Sequence, residues 1–260
     1  MIASSFKREF IISSYELDPR GCARLTTMAN YFQEIAYHHA NDLGFGYEAM
    51  TTRHTMWLLS RLRIRMMRYP EWNERIRVET WPSGVDKLFA VRDFRVTDHS
   101  GREVGLASSC WLIVDLDSHR PLRPMGELER YASIVYGPPV FGSYPEKINL
   151  HNRLLEQDRH RVKFSDLDIV GHVNNVKYIE WSIDAAIREI GRGTEIGELE
   201  INYLQEARLG DEVLISGEVC QGELPNPCYF LASRYGDGKE VFRAKLSLKP
   251  NGKRPEVYNA

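Results

Sequence analysis

The sequence predicts an α+β chain in which one unit is used twice, each copy a long helix wrapped by an antiparallel sheet. Three observations carry this reading. The order strand, polar turn, long helix, four strands occurs before residue 115 and recurs after residue 157. The turn Tyr15-Glu16-Leu17-Asp18-Pro19-Arg20-Gly21 resembles Ser165-Asp166-Leu167-Asp168-Ile169-Val170-Gly171, setting Asp18 on Asp168 and Gly21 on Gly171. Further on, Leu62-Arg63-Ile64 leading to Tyr69-Pro70-Glu71-Trp72-Asn73-Glu74 matches Glu200-Ile201-Asn202 leading to Glu206-Ala207-Arg208-Leu209-Gly210-Asp211.

Taken in order, residues 6–17 read as a strand running into the turn at Asp18. A helix follows from about Thr26, a suitable cap, with Met28, Phe32, Ile35, Ala36 and His39 on one face, and it stops near Gly44. Strands are expected at 61–66, where leucine, isoleucine and methionine alternate with Arg61, Arg63 and Arg65, then at 76–80, 89–97 and 106–114. Residues 115–157 lose the period and carry Pro121, Pro124, Gly137-Pro138-Pro139 and Gly142, so they read as a crossover linker. A short strand at 161–164 opens the second copy. Its helix runs from about Asn175 to Ile190, with Val176, Ile179, Ile183, Ala186, Ile187 and Ile190 on one stripe. Strands at 199–203, 213–219, 229–235 and 241–248 complete it, the last two joined by Gly236-Asp237-Gly238. The expected division is 1–120, a linker at 121–157, and 158–260.

Among 260 residues, 43% are hydrophobic and 27% charged, enough apolar material for a sizeable core. The net charge of −2 gives no one-signed field for nucleic acid. No apolar run approaches a membrane span, and the start has neither a signal-peptide core nor a transit-peptide composition, so a cytoplasmic protein without membrane insertion is expected. Cys22, Cys110, Cys220 and Cys228 show no paired metal spacing, which favours free thiols.

The chemistry concentrates in Phe164 to Trp181, FSDLDIVGHVNNVKYIEW. There is no G-x-S-x-G, no G-x-G-x-x-G and no phosphate loop. His38 and His39 are neighbours on a helix and point apart, and the other histidines lack companions at metal spacing. Within the polar stretch, Asp168 suits a general base or nucleophile and His172 a proton carrier. Equally, Asp168 and His172 suit a hydrogen-bonded turn. Gly171 lets a substrate carbonyl approach the backbone, and the N–H groups of the turn, Val173 included, suit an oxyanion. Asn174 and Asn175 offer amide donors, with Asn175 the expected helix cap.

DLDIVGHVNNVKYIEW resembles the signature of plant-type acyl-ACP thioesterases, and Trp57 to Ile64, Arg68 to Trp72, Val91 to Phe94 and Cys110 to Val114 resemble that family's first half. The resemblance implies a double hotdog fold and hydrolysis of fatty acyl thioesters on acyl carrier protein without a cofactor or metal. Carried over by position, the catalytic set is Asp168, His172 and Glu206. Two positions depart from the plant pattern: Val170 replaces an asparagine, and Ala207 replaces the cysteine once proposed as nucleophile. A cysteine–histidine–asparagine triad is therefore excluded at these positions, which leaves carboxylates and histidine acting on water. In the first copy Cys22 and Tyr69 occupy the positions of His172 and Glu206, so one site is expected, on the second copy. The first copy would supply the acyl pocket, with Met28, Phe32, Met56 and Trp57 as lining. Arg61, Arg63 and Arg65 would meet the acidic carrier protein, although a solvated strand face explains them as well. The duplication implies hotdog pairing within a monomer, or a homodimer. A hotdog acyl-CoA thioesterase and a non-catalytic acyl-binding protein are the competing readings.

Overall fold

The computed structural model describes residues 4–118, 120–122, 126–150, 154–190, 194–218 and 227–250. It divides into two compact units, residues 1–147 with 200–203, and residues 148–199 with 204–260. In chain order the elements of the first part are β1 (Phe6–Ile11), α1 (Leu25–Asp42), α2 (Tyr47–Thr52), β2 (Thr55–Met66), β3 (Arg75–Asp86), β4 (Phe89–Asp98), β5 (Glu103–Asp115) and α3 (Glu127–Ala132). Those of the second are β6 (Leu155–Arg161), α4 (Asn175–Ile190), β7 (Thr194–Tyr203), β8 (Glu212–Gly217), β9 (Pro227–Arg234) and β10 (Glu240–Pro250). The strand orders are β1-β3-β4-β5-β2 and β6-β8-β9-β10-β7, one topology drawn twice. This is the double hotdog arrangement.

Alternation decides which way each strand faces. On β2, Leu62, Ile64 and Met66 are buried between arginines, and on β3, Ile76, Val78 and Thr80 are buried. Helix α1 buries Met28, Phe32, Ile35, Ala36 and His39 at helical spacing, and Phe32 meets Phe94 of β4 at 4.9 Å between ring centres. In α4 the buried side chains include Val176, Tyr178, Ile179, Trp181, Ala185 and Ala186. Ile183 and Ile187, expected on the stripe, lie only half-buried at its edge, and the side chain of Ile190 is outside the described set.

The repeat holds bond by bond. Asp18 N–H donates to Cys22 O and Asp168 N–H to His172 O, at 2.7 and 2.8 Å. Ala23 N–H donates to Pro70 O, and Val173 N–H to Ala207 O. Isolated bridges join Cys22 to Glu71 and His172 to Arg208. Ile11 of β1 registers with Arg75, and Arg161 of β6 with Glu212. Even the left-handed positions recur, Gly21 with Gly171 and Asn73 with Gly210.

Some expected boundaries move, each for a local reason. β1 ends at Ile11, and a single 3-10 turn at 14–16 follows, because Glu16 Oε2 captures the Ser13 N–H at 2.7 Å. Helix α1 starts at Leu25, with extended Arg24 rather than Thr26 in the cap position. The segment taken for a linker is tied to the first unit. Leu128 and Tyr131 of α3 pack with Phe45, Met50 and Ile113, and the Tyr131 hydroxyl donates to Val91 O. Beyond α3, Val140 N–H donates to the buried Asp93 carboxylate at 2.8 Å. Gly84 admits the Tyr144 ring, whose hydroxyl would lie 1.9 Å from a Cβ built there. The second copy opens earlier than residue 158, with β6 at Leu155.

That strap also covers the arginine stripe. Arg61 donates to Pro145 O at 2.9 Å and lies 4.5 Å over Phe89, while Arg63 and Arg65 stack on Phe141. Arg61 and Arg63 are thereby half-buried while Arg65 stays exposed, so the stripe is only partly open to a partner. His39, on the apolar face of α1, is fully buried with Nδ1 3.0 Å from Arg92 Nη1. Cys22 and Cys110 are not disulfide-bonded, but Cys228 is, correcting the free-thiol expectation there; Cys220 lies outside the described residues. Among the described residues no helix is long and apolar enough to cross a membrane.

Candidate active site

The site is built on the turn between β6 and α4. Asp166 locks the entry, its Oδ2 accepting from Lys163 N–H at 2.8 Å and lying 3.0 Å from His160 Nε2. Burial pushes this carboxyl up, but the bonds from His160 and Lys163 outweigh it and leave it below the ordinary value. Its contribution to stability is thus present at neutral pH and is lost as acid protonates it. Gly171, at φ +85°, then reverses the chain with open space where a side chain would stand.

The reversal curls the backbone onto Asp168. Its Oδ1 accepts from Val170 N–H at 2.9 Å and from His172 N–H at 3.3 Å, and Oδ2 has no partner among the described residues. His172 Nε2 lies 3.3 Å from Glu206 Oε2, with side chains 19% and 30% exposed. The three residues expected to form the catalytic set thus lie on two adjoining segments, the turn and the loop after β7. Val173 N–H to Ala207 O and the His172–Arg208 bridge join those segments.

The first copy shows the same turn closed. There Asp18 Oδ1 accepts from Arg20 N–H, while Oδ2 accepts from Arg20 Nε at 2.8 Å and Nη2 at 2.5 Å. Arg20 also lies over the Tyr69 ring, 5.6 Å from its centre. Val170, which stands where Arg20 does, cannot make such a bond. The open oxygen of Asp168 therefore follows from a valine at that position, a consequence not legible from the sequence stretch alone.

Several expected roles change. The Val173 N–H is committed to Ala207 O, and the Gly171 N–H to Asp168 O at 3.1 Å, so neither can receive an oxyanion without breaking a bond. Asn174, not Asn175, caps α4, its Oδ1 accepting from Val176 N–H at 3.0 Å. That bond fixes the amide and leaves Asn174 Nδ2 as a donor without a partner among the described residues. Of the expected pocket residues, Met28 and Phe32 lie in the core of the first unit. Met56 and Trp57 are half-buried on β2, with the Trp57 indole donating to Phe45 O.

Tyr178 was missed. Its buried hydroxyl accepts from Ala207 N–H at 3.0 Å, beside Glu206. Burial pushes the phenol far up, helped by the Glu206 and Asp168 charges, so it stays neutral. A signal existed: the repeat sets Tyr178 on Met28, a hydroxyl replacing an apolar group on a buried helix face. Tyr178→Phe strands a buried N–H and frees the segment carrying Glu206. It is expected to cost about 1–3 kcal/mol of stability and roughly tenfold in kcat, read by denaturant titration and steady-state assay.

Among the described residues no free thiol belongs to this site. Burial pushes the Cys110 thiol up to about 12, and Cys22 is fully buried in the first unit. A Cys22→Ala/Cys110→Ala variant is expected to keep kcat within about twofold of wild type; selective loss of turnover in a folded variant would restore a thiol mechanism.

The acyl-ACP thioesterase N-terminal domain profile matches residues 3–130, and the C-terminal domain profile of the same family matches residues 151–247. The chain is 29% identical to oleoyl-acyl carrier protein thioesterase 2 of Arabidopsis thaliana over 85% of its own length. It is 31% identical to the oleoyl-acyl carrier protein thioesterase of Coriandrum sativum over 83%. It spans only 64% and 63% of the length of these plant relatives. A crystal structure of an acyl-ACP thioesterase from Bacteroides thetaiotaomicron is 28% identical, with a TM-score of 0.84 over 95% of this chain and 98% of that one. The 12:0-ACP thioesterase of Umbellularia californica, 23% identical, shares the fold at a TM-score of 0.82 over 96% of this chain and 98% of its own. Its two halves match successive domains of one family, and the chain belongs to the acyl-ACP thioesterases.

Proposed function

We propose that this protein hydrolyses fatty acyl thioesters carried on acyl carrier protein, releasing the free fatty acid, with its chemistry confined to the second copy. One observation carries the reading: Asp168, on the turn that also carries His172 of the His172–Glu206 pair, presents a carboxylate oxygen without a partner among the described residues, whereas its twin Asp18 is closed by Arg20.

The chemistry follows from what each atom is free to do. Asp168 is held rigidly through Oδ1, and Oδ2 takes a proton from water as the water oxygen attacks the thioester carbonyl carbon. The oxyanion that forms is met by Asn174 Nδ2, already aimed by its capping bond. His172, facing the Glu206 carboxylate at 3.3 Å, gives a proton to the sulfur as the carbon–sulfur bond breaks. A carboxylic acid and a thiol leave, the acid then losing the second proton of the water to solvent, and the proton on Asp168 returns through solvent to His172.

The test is turnover on one acyl chain attached either to carrier protein or to CoA. The carrier thioester is expected to give the higher kcat/KM. Equal or better turnover of the CoA ester would make this a general acyl-CoA thioesterase, and binding without turnover of either would make it an acyl-binding protein.

A further inference from the structure

Resting on that functional reading, we infer that the carrier protein docks on the tip of the second unit, on a rim formed by Arg161, Lys163, Arg208, Phe164, Ile169 and Leu209. The loop after β7 gathers these residues. Val162 N–H donates to Asp211 O and Gly210 N–H to Val162 O, which sets the end of β6 beside residues 209–211. The His172–Arg208 bridge sets the catalytic turn against the other side of the same loop.

The surface is basic and apolar together. Arg161, Lys163 and Arg208 are exposed and have no ion-pair partner among the described residues. Four acids of these segments are engaged elsewhere, Asp166 with His160, Asp211 with Arg234, Glu212 with Arg159 and Glu206 with His172, while Asp168 keeps Oδ2 open. On the same turn and loop, Phe164, Ile169 and Leu209 are 84%, 98% and 60% exposed. Side chains this apolar and this open, rimmed by unpaired cations, fit an acidic protein partner.

The first copy serves as an internal control. It forms the same turn and loop with the same backbone bonds, yet carries Ile11, Ser13 and Glu71 where the second has Arg161, Lys163 and Arg208. The fold therefore does not require the three cations. They accompany the open Asp168, as a delivery surface must, because the carrier presents its thioester at the end of a short prosthetic arm. The β2 stripe offers less, because the strap half-buries Arg61 and Arg63.

The experiment exchanges two of them for the residues of the twin, Arg161→Ile with Lys163→Ser, and assays acyl carrier protein beside an acyl-N-acetylcysteamine thioester. KM for the carrier substrate is expected to rise about tenfold and to lose its dependence on salt. Turnover of the small thioester is expected to stay unchanged. An unchanged carrier KM, or an equal loss on both substrates, overturns the docking surface alone. A wild-type protein that cleaves the small thioester and ignores the carrier substrate overturns the functional reading, and the surface with it.

Discussion

Asp168→Asn is expected to lower kcat for acyl carrier thioesters by about 10³-fold or more, while leaving substrate affinity and thermal midpoint close to wild type. Asparagine keeps an oxygen able to accept from Val170 and His172 N–H, so the turn retains its shape. It loses the negative oxygen at Oδ2, and an amide cannot take a proton from water. The loss should fall on kcat rather than KM, because the missing interaction belongs to the transition state. Measuring the two constants separately makes the distinction, and a variant with near-normal kcat would remove Asp168 from the chemistry.

The second large effect is expected at Glu206. Its carboxylate lies 3.3 Å from His172 Nε2. Glu206→Gln preserves size and leaves the backbone bond from Ala207 N–H to Tyr178 untouched. It removes the carboxylate charge that faces His172 as the sulfur departs, and kcat is expected to fall roughly 10²-fold. A thioester with a better leaving group needs less help from an acid, so an aryl thioester should recover much of the loss. Equal losses on alkyl and aryl thioesters would assign Glu206 to the carbonyl rather than the leaving group.

The repeat was legible because turn chemistry is local. Asp18 with Gly21, and Asp168 with Gly171, fix a reversal within four residues, and such patterns survive in a single sequence. The long helices and most strands were legible for the same reason, through period. What escaped depends on distant partners. The segment after β5 was read as a free linker because its anchors, Asp93 for Val140 and Arg61 for Pro145, lie far off in sequence and leave no periodic trace. The arginine alternation on β2 correctly gave a strand, but could not show that Phe141 covers it. At the site, residue types pointed to Asp168 and His172, whereas the family resemblance was needed for Glu206. The committed N–H of Val173 and the supporting hydroxyl of Tyr178 emerge only when the loop after β7 is laid against the turn.

The central claim is that two nearly identical turns differ in function because one aspartate is open and the other is closed by Arg20. Single-turnover release of fatty acid from acyl carrier protein, measured for Asp18→Asn and Asp168→Asn side by side, tests it most directly. The Asp18 variant loses only a partly exposed ion pair worth about 1 kcal/mol or less, and should stay within about threefold of wild type, with the Asp168 variant down by about 10³-fold. Comparable losses in the two variants, or the larger loss at Asp18, would contradict a single site on the second copy.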